Sequence, residues 1–267
     1  MNFKWTLDDV LCTDRYLEAF PNNYFRNDIF YNYPQIGWRG NQKSRPLFTQ
    51  RLIVSGHSDY PIIDQIASRY PNSKWFSVNT QSSRVTGIPL GITNNTDESP
   101  LHRIYGNTLM MLEVAQTPRE IKNLVYLNFS RFNPECFIPS YEFERVPLYE
   151  MLHSKPWVTC GQPVNTFEGR KEFLKEIRNH EFVLCPRGNG VDTHRLWETL
   201  YMGSIPIVKN DIAHSEWQDL PILFINDWNE ITEERLLAEK KRIESTSWNF
   251  EKLRVGYWID RIRRSIQ

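Results

Sequence analysis

The chain has no surplus of either charge. Its 267 residues include 32 Lys+Arg and 32 Asp+Glu, which gives a formal net charge of zero at pH 7. A dedicated nucleic-acid-binding protein usually carries a basic excess or a basic stripe, so this balance argues against a nucleic-acid partner. A few arginines gathered in one loop would still create a local anion site without altering the total.

Long apolar runs and paired cysteines are also missing. No run reaches the ~18–20 residues that span a bilayer, and the N-terminus, MNFKWTLDDVLCTDRY, carries acids where a signal peptide needs an apolar core. The four cysteines, Cys12, Cys136, Cys160 and Cys185, show no Cys-x-x-Cys spacing. This scatter argues against a structural zinc site and predicts reduced thiols. We therefore expect a cytoplasmic protein with no integral membrane segment.

Two cofactor motifs are absent. No Asp-x-Asp element occurs that could hold a divalent ion on a diphosphate, and Asp8-Asp9 and Asp97-Glu98 are poor substitutes. No early G-x-G-x-x-G follows a first strand, which disfavours a nicotinamide-dependent dehydrogenase. The sequence thus predicts chemistry without a metal or another cofactor, in which arginines and helix N-terminal amides bind anions.

The most informative segment is FVLCPRGNGVDTHRLWETLYMGSIPIV, residues 182–208. An apolar run ends at Pro186, a turn rich in small residues follows, and a helical pattern runs from about 193 to 202 before a second apolar run. This order predicts a strand–loop–helix–strand unit of a parallel sheet. Ligands bind such sheets at the loop between strand and helix, and this loop contains two arginines, a histidine and an aspartate.

The remaining pattern predicts an α/β fold with two Rossmann-like strand–helix series. The first contains strands at 51–55, 74–78 and 85–90 and a helix at 62–70 that begins beside Pro61. The second begins with a strand at 124–129, and its predicted helices lie at 142–153, 166–179, 193–202, 231–243 and 248–264, with strands at 157–159, 182–185, 205–208 and 222–225. We expect an acceptor-side domain over 1–120 and a nucleotide-sugar-binding domain over 121–267.

The PRG…HRLWE core and the following Ile-Pro-Ile-Val strand resemble the signature of exostosin-like glycosyltransferases. A looser resemblance runs to fucosyltransferases, whose corresponding helix has an early glutamate. The resemblance implies a GT-B fold, with two halves that face each other across a cleft and a C-terminal helix that packs back on the N-terminal half. It also implies a uridine-linked sugar donor, such as UDP-xylose or another UDP-hexose or UDP-pentose, and transfer with inversion.

Donor binding is predicted at the 186–198 loop and one loop before it. The residues predicted to bind the diphosphate are Arg131, Arg187, Thr193, His194 and Arg195. The residues predicted around the sugar and ribose are Asn189, Gly190, Asp192 and Glu198, with the ribose role of Glu198 implied by the resemblance. The alternatives are salt bridges for the arginines, an Arg195–Glu198 surface pair, and a helix N-cap role for Asp192 or Thr193. Arg170 and Lys171 are expected to be solvated.

The catalytic base is predicted in the first half, in the loop Ser55-Gly56-His57-Ser58-Asp59. A single carboxylate or imidazole suffices to take the acceptor's proton in an inverting reaction. Asp59 is the preferred base, with His57 near the acceptor. The alternatives are an N-cap for Asp59 and a hydrogen-bonded turn residue for His57.

The sequence therefore predicts a metal-independent glycosyltransferase with a nucleotide-sugar donor and a glycan acceptor. Two alternatives stay open. The first is a fucosyltransferase-like enzyme that uses GDP-fucose, and the second is a nucleotide- or glycan-binding module that has lost catalysis. A transferase and a binding module differ in the position of the predicted base. In a transferase, His57 and Asp59 should face Arg187 and Arg195 across a cleft.

Overall fold

The computed structural model describes residues 3–31, 49–97, 99–131 and 140–267. Within these ranges the strands are β1 Tyr24–Arg26, β2 Leu52–Gly56, β3 Ile62–Ile63, β4 Lys74–Ser77, β5 Thr80–Gln81, β6 Thr86–Gly87, β7 Asn123–Leu127, β8 Val158–Cys160, β9 His180–Leu184, β10 Ile205–Lys209 and β11 Leu223–Ile225. The α-helices are α1 Thr13–Ala19, α2 Asp64–Ala67, α3 Pro100–Tyr105, α4 Thr108–Ala115, α5 Ser140–Leu152, α6 Phe167–Arg178, α7 His194–Tyr201, α8 Glu233–Ser245 and α9 Val255–Arg264.

The strands form two main parallel sheets. The first has the order β1-β2-β4-β6 and the second the order β11-β10-β9-β7-β8, while β3 pairs with β5 separately. Every described strand pair is parallel. The predicted α/β class with parallel sheets is thus confirmed. The facing halves of a GT-B fold stay a prediction.

The central strands are buried because their sequences are apolar on both faces. All five residues of β2 are buried, as are the last three of β9 and the first four of β10. Helices on both faces of a parallel sheet leave no solvated side, and such strands therefore appear as continuous apolar runs instead of alternating patterns.

Tryptophans join the C-terminal helix to α7. The ring centroids of Trp197 and Trp217 lie 5.2 Å apart, and those of Trp217 and Trp258 lie 6.2 Å apart. All three belong to one buried cluster that contains residues of both sheets' layers. Edge-to-face aromatic pairs add to the energy of area burial, so this stack fixes α9 against α7.

The C-terminal helix also contacts the N-terminal segment. Helix α9 packs against α1, and Arg254 Nη1 lies 2.6 Å from Asp9 Oδ1. The Tyr201 hydroxyl accepts the Leu11 N–H at 2.9 Å and donates to the Leu253 carbonyl at 2.7 Å. One phenol thereby joins the first and last segments of the chain to α7.

Three predicted elements differ from the structure. Residues 62–63 form a strand instead of the start of a helix, because the Ile62 N–H donates to the Asn79 carbonyl at 3.2 Å, and α2 covers only 64–67. The strand predicted over 85–90 shrinks to Thr86–Gly87. The helix predicted over 248–264 is broken at Arg254, whose backbone is extended, into a 3-10 turn and α9.

Candidate functional site

Helix α7 begins within the predicted ligand-binding loop at 186–198, beyond the carboxyl end of β9. Thr193 occupies the N-cap position, but its side chain makes no capping hydrogen bond. Its hydroxyl is buried and has no hydrogen-bond partner among the described residues. The first turn of the helix therefore presents an uncommitted hydroxyl beside N–H groups that are unpaired within the helix.

A cavity of about 280 Å³ lies at this helix end, and we call it the α7 cavity. It is lined by residues of α6, α7 and the loops around them: Thr93, Tyr105, Asn128, Pro163, Val164, Arg170, Phe173, Thr193, His194, Arg195 and Glu198. Two arginines in one partly apolar cavity at a helix N-terminus form a site suited to an anion.

A second cavity, of about 390 Å³, lies at the carboxyl end of β2, and we call it the β2 cavity. Its lining comes almost wholly from the first half of the chain: Thr13, Arg26, Asp28, His57, Ser58, Asp59, Tyr60, Leu90, Thr93, Asn94, His102 and His194. Thr93 and His194 line both cavities. The two spaces thus meet at the first residue of α7.

Arg170 and Glu198 form a buried ion pair in the α7 cavity. Arg170 Nη2 lies 2.7 Å from Glu198 Oε1, and the side chains are 1% and 5% exposed. Burial alone would raise the pKa of Glu198, but the charge and hydrogen bond of Arg170 lower it below the ordinary value. The prediction that Arg170 is solvated is wrong, and Glu198 pairs with Arg170 inside the protein instead of forming the alternative surface pair with Arg195.

Both arginines keep donors unused. Arg170 also donates to the Tyr105 carbonyl at 3.1 Å, yet its Nε and Nη1 are buried without a partner in the described part of the chain. The same holds for Arg195 Nε. The two guanidinium groups lie 5.3 Å and 5.5 Å from the ring centroid of Phe173, which lies in the cavity wall. Buried unpaired donors cost free energy, and an anionic ligand would offset that cost.

His194 is held by the N-terminal half. Its Nδ1 lies 2.7 Å from the carbonyl oxygen of Gly91. A carbonyl only accepts, so Nδ1 carries the proton and Nε2 of the neutral ring has a lone pair. Burial lowers the pKa of His194, which favours this neutral form.

His57 belongs to a hydrogen-bonded network in the β2 cavity. Its Nε2 lies 2.8 Å from Asp14 Oδ1, and its Nδ1 lies 2.7 Å from the Tyr24 hydroxyl. The residue has a φ of 51°, in the left-handed region that histidine enters more often than most residues. Both ring nitrogens are engaged, so the alternative of a hydrogen-bonded turn residue describes His57 well.

Asp59 lines the same cavity with an exposed side chain. The alternative N-cap role does not arise, because α2 begins at residue 64 with Ile63 at its N-cap. The carboxylate makes no hydrogen bond or ion pair to any residue that the structure describes, and its charge raises the pKa of His194 in part. Asp59 therefore lies within electrostatic reach of the first residue of α7.

Two predicted diphosphate ligands lie outside the α7 cavity. Arg187 Nη2 donates to the Asn189 carbonyl in its own loop at 3.2 Å. The guanidinium of Arg131 lies 4.3 Å from the ring centroid of Tyr149, and its Nη1 is 3.8 Å from Glu150 Oε1. The structure thus brings Thr193, Arg195 and Glu198 together and leaves both of these arginines elsewhere.

Asp192 and Gly190 connect the two halves of the chain. The Asp192 carboxylate accepts the Leu90 N–H at 2.8 Å and the Trp197 indole N–H at 2.9 Å, while the Asp192 N–H donates to Asn79 Oδ1 at 2.9 Å. Burial raises the pKa of Asp192 to about 7. A Cβ at position 190 would overlap the Asn79 amide. These two predicted ligand residues are therefore engaged by protein groups.

Sequence reasoning missed Asp14 and misplaced Arg170. The second had a readable signal, because positions 170, 174 and 177 lie on one helical face, and Leu174 and Ile177 are buried. Asp14 has no such signal, since it meets His57 only through tertiary contact between α1 and the end of β2.

Two findings bear on the predictions of reduced thiols and of no membrane segment. Cys12, Cys160 and Cys185 are free thiols, while Cys136 lies outside the described residues. None of the helices in the described ranges has the length and apolar character needed to cross a membrane.

Comparison with known proteins adds one finding. No curated protein sequence matches the chain significantly. Residues 151–267 match the family model described as the RXYLT1 C-terminal domain, and this range contains α6, α7 and most of the α7 cavity. That family is one of exostosin-like xylosyltransferases. The C-terminal part of the chain is therefore similar to an exostosin-like glycosyltransferase family, which supports the resemblance carried by residues 182–208.

Proposed function

We propose that the chain transfers a sugar from a uridine diphosphate sugar to a glycan hydroxyl, with inversion and without a metal. The observation that carries the proposal is the pair of arginines with unused donors in the α7 cavity, next to a second cavity that shares His194 with it. The similarity of residues 151–267 to an RXYLT1 domain supports a glycosyltransferase and makes a UDP-pentose such as UDP-xylose the first donor to test.

The diphosphate would lie at the N-terminus of α7. The free N–H groups of Arg170 and Arg195 and the Thr193 hydroxyl would donate to its oxygens, and they would stabilise the charge that grows as the sugar–phosphate bond breaks. Arg187 and Arg131 are left out of this proposal because neither lines the cavity. The same donors would perform the role that a metal ion has in metal-dependent transferases.

The nucleoside would use the rest of the α7 cavity. Glu198 Oε1 pairs with Arg170, whereas its Oε2 accepts no hydrogen bond within the described chain and remains available for a ribose hydroxyl. Pro163, Val164 and Phe173 supply an apolar wall that suits the flat faces of a base or sugar.

The acceptor would enter the β2 cavity. Of the two residues predicted for proton removal, Asp59 has the uncommitted carboxylate, whereas both ring nitrogens of His57 are engaged. The distribution of the lining residues supports an acceptor side within 1–120 and a donor side within 121–267. Thermal unfolding in EDTA and in Mg²⁺, described next, tests whether the reaction is independent of a metal.

Thermal unfolding with a panel of UDP- and GDP-sugars, in EDTA and in Mg²⁺, tests the proposal. A ligand at a hundredfold excess over its Kd stabilises by about 2.7 kcal/mol, which corresponds to a rise in Tm of roughly 5–10 °C for a chain of this size. We expect this rise with UDP and UDP-sugars in EDTA. Arg195→Gln should abolish it, and Arg187→Gln, a matched arginine outside the cavity, should keep it.

The outcomes separate the alternatives. No shift with any nucleotide refutes the transferase. A shift with GDP species alone favours the fucosyltransferase-like enzyme, and binding without sugar transfer to any of a panel of glycan acceptors favours a binding module. A shift that requires Mg²⁺ refutes the metal-independent reaction.

A further inference from the structure

His194 occupies the junction of the two cavities. It is the first residue of α7, and the same helix contributes Arg195 and Glu198 to the α7 cavity. His194 also lines the β2 cavity, together with Asp59 and Thr93. A group at this junction can contact both an acceptor hydroxyl on one side and the sugar of a donor on the other.

The hydrogen bond to Gly91 decides what His194 can do there. With Nδ1–H donated to a carbonyl at 2.7 Å, the neutral ring presents Nε2 as an acceptor. Phosphate oxygens also only accept, so a neutral His194 cannot hydrogen-bond to a diphosphate through Nε2. It can accept the proton of a hydroxyl group.

The Gly91 carbonyl is fixed by its surroundings. Gly91 has a φ of 71°, and a Cβ at this position would overlap the Leu11 carbonyl. The next residue, Ile92, donates its N–H to that same Leu11 carbonyl at 2.8 Å. Because a close packing contact and a hydrogen bond hold this turn, the tautomer of His194 is also fixed.

The charged groups around His194 suit proton uptake. Burial lowers its pKa, Arg170 lowers it further, and Glu198, Asp59 and the Gly91 carbonyl raise it. The ring is therefore neutral before the reaction, and two carboxylates stabilise the imidazolium that proton uptake would create.

We propose that His194 is the catalytic base of the transfer reaction, a role that rests on the proposed function. The acceptor O–H proton moves to Nε2 as the acceptor oxygen bonds to the anomeric carbon. The bond between that carbon and the diphosphate oxygen breaks, and its electron pair stays on the diphosphate, beside Arg170 and Arg195. His194 then returns the proton to solvent. In this assignment His194 replaces Asp59, the base predicted from the sequence, as the group that takes the proton, and Asp59 becomes a positioning residue that stabilises the imidazolium.

His194→Asn tests the assignment, because the asparagine amide replaces the Nδ1–H donor to Gly91 but has no group at Nε2. We expect kcat to fall by about 10²- to 10⁴-fold, UDP affinity to stay within threefold, and the acidic limb of the kcat/KM pH profile to disappear. His153→Asn removes an exposed imidazole that stacks on Tyr149 and lines neither cavity, and it should leave all three unchanged. Asp59→Asn should move the acidic limb to lower pH.

Two results would overturn the assignment. If His194→Asn weakens UDP binding more than tenfold and keeps the acidic limb, His194 is a diphosphate ligand. If it keeps more than half of the wild-type kcat, another group is the base. Nitrogen NMR of His194 gives an activity-independent reading, and an Nε2–H tautomer also refutes the role. If the protein transfers no sugar but His194 is the Nδ1–H tautomer, the proposed function is wrong and not the tautomer. The base assignment is then refuted too, because it rests on the proposed function.

Discussion

Replacing Arg170 by methionine removes the cation from a pair that water barely reaches, with side-chain exposures of 1% for Arg170 and 5% for Glu198. Removing one partner of a buried ion pair costs about 3–5 kcal/mol, because the other charge stays buried and uncompensated. We therefore expect Arg170→Met and Glu198→Gln each to lower the free energy of unfolding by about 3 kcal/mol. The double variant removes both charges, so its loss of stability should be smaller than the sum of the two single losses. The difference is a coupling energy of about 2–3 kcal/mol, which lies within the range for residues in contact.

Urea unfolding followed by tryptophan fluorescence measures these stabilities, and UDP titration separates the structural role of Arg170 from its proposed ligand role. A charge-assisted hydrogen bond contributes roughly 1.5–3 kcal/mol, so both variants without Arg170 should lose UDP affinity by about 10- to 100-fold. Glu198→Gln keeps both arginines and should lose less than tenfold.

The same pair predicts a pH dependence. Although burial would raise the pKa of Glu198, Arg170 lowers it below the ordinary 4.5. A lowered folded-state pKa contributes stability above pH 4.5 that is lost as pH falls through the lower value. Glu198→Gln should remove this loss. Single-variant losses below about 1 kcal/mol would refute the closed ion pair, and unchanged UDP affinity in the double variant would refute the donor role of Arg170.

Two further predictions concern stability. His214 is 2% exposed, and burial lowers its pKa to about 4 from the ordinary value of 6.5. The free energy of unfolding should therefore fall by about 3 kcal/mol as the pH falls from 6.5 to 4. Urea unfolding of His214→Phe across this range should not show that fall. Gly91→Ala should lower Tm by well over 5 °C, because its φ is positive and a Cβ overlaps Leu11, whereas Gly256→Ala, in α9 with open space around it, should raise stability by roughly 0.5–1 kcal/mol. A Gly91→Ala protein with wild-type Tm would contradict the close approach.

Local patterns were sufficient for most strands of the two sheets and for helices α5 to α8, whereas β1, β3 and β5 were not predicted. Strands β2, β9 and β10 are apolar runs between turn residues, and α6 and α7 begin within one residue of the predicted starts at 166 and 193. The misplaced helix start beside Pro61 shows the limit of such patterns, since Ile62 is extended by a hydrogen bond to Asn79 that no local pattern reveals.

The candidate site was predictable only in part. Thr193, Arg195 and Glu198 line one cavity because one short helix carries them, and helical spacing is written in the sequence. Arg131 follows β7 and Arg187 follows β9, in loops where the direction of a side chain depends on neighbouring groups. In both cases the guanidinium group is turned away from that cavity.

The sequence by itself determined the strand–loop–helix unit at 182–208, the residue types from which an anion site is proposed there, and the likeness of this unit to a glycosyltransferase family, because these depend on residue type and short-range spacing. Only the tertiary structure decided the partners. Arg170 meets Glu198 across two helices, His57 meets Asp14, and the Gly91 carbonyl fixes the tautomer of His194. Each contact joins residues far apart in the chain, and the protonation and direction of a polar group are set by the partner that packing brings to it.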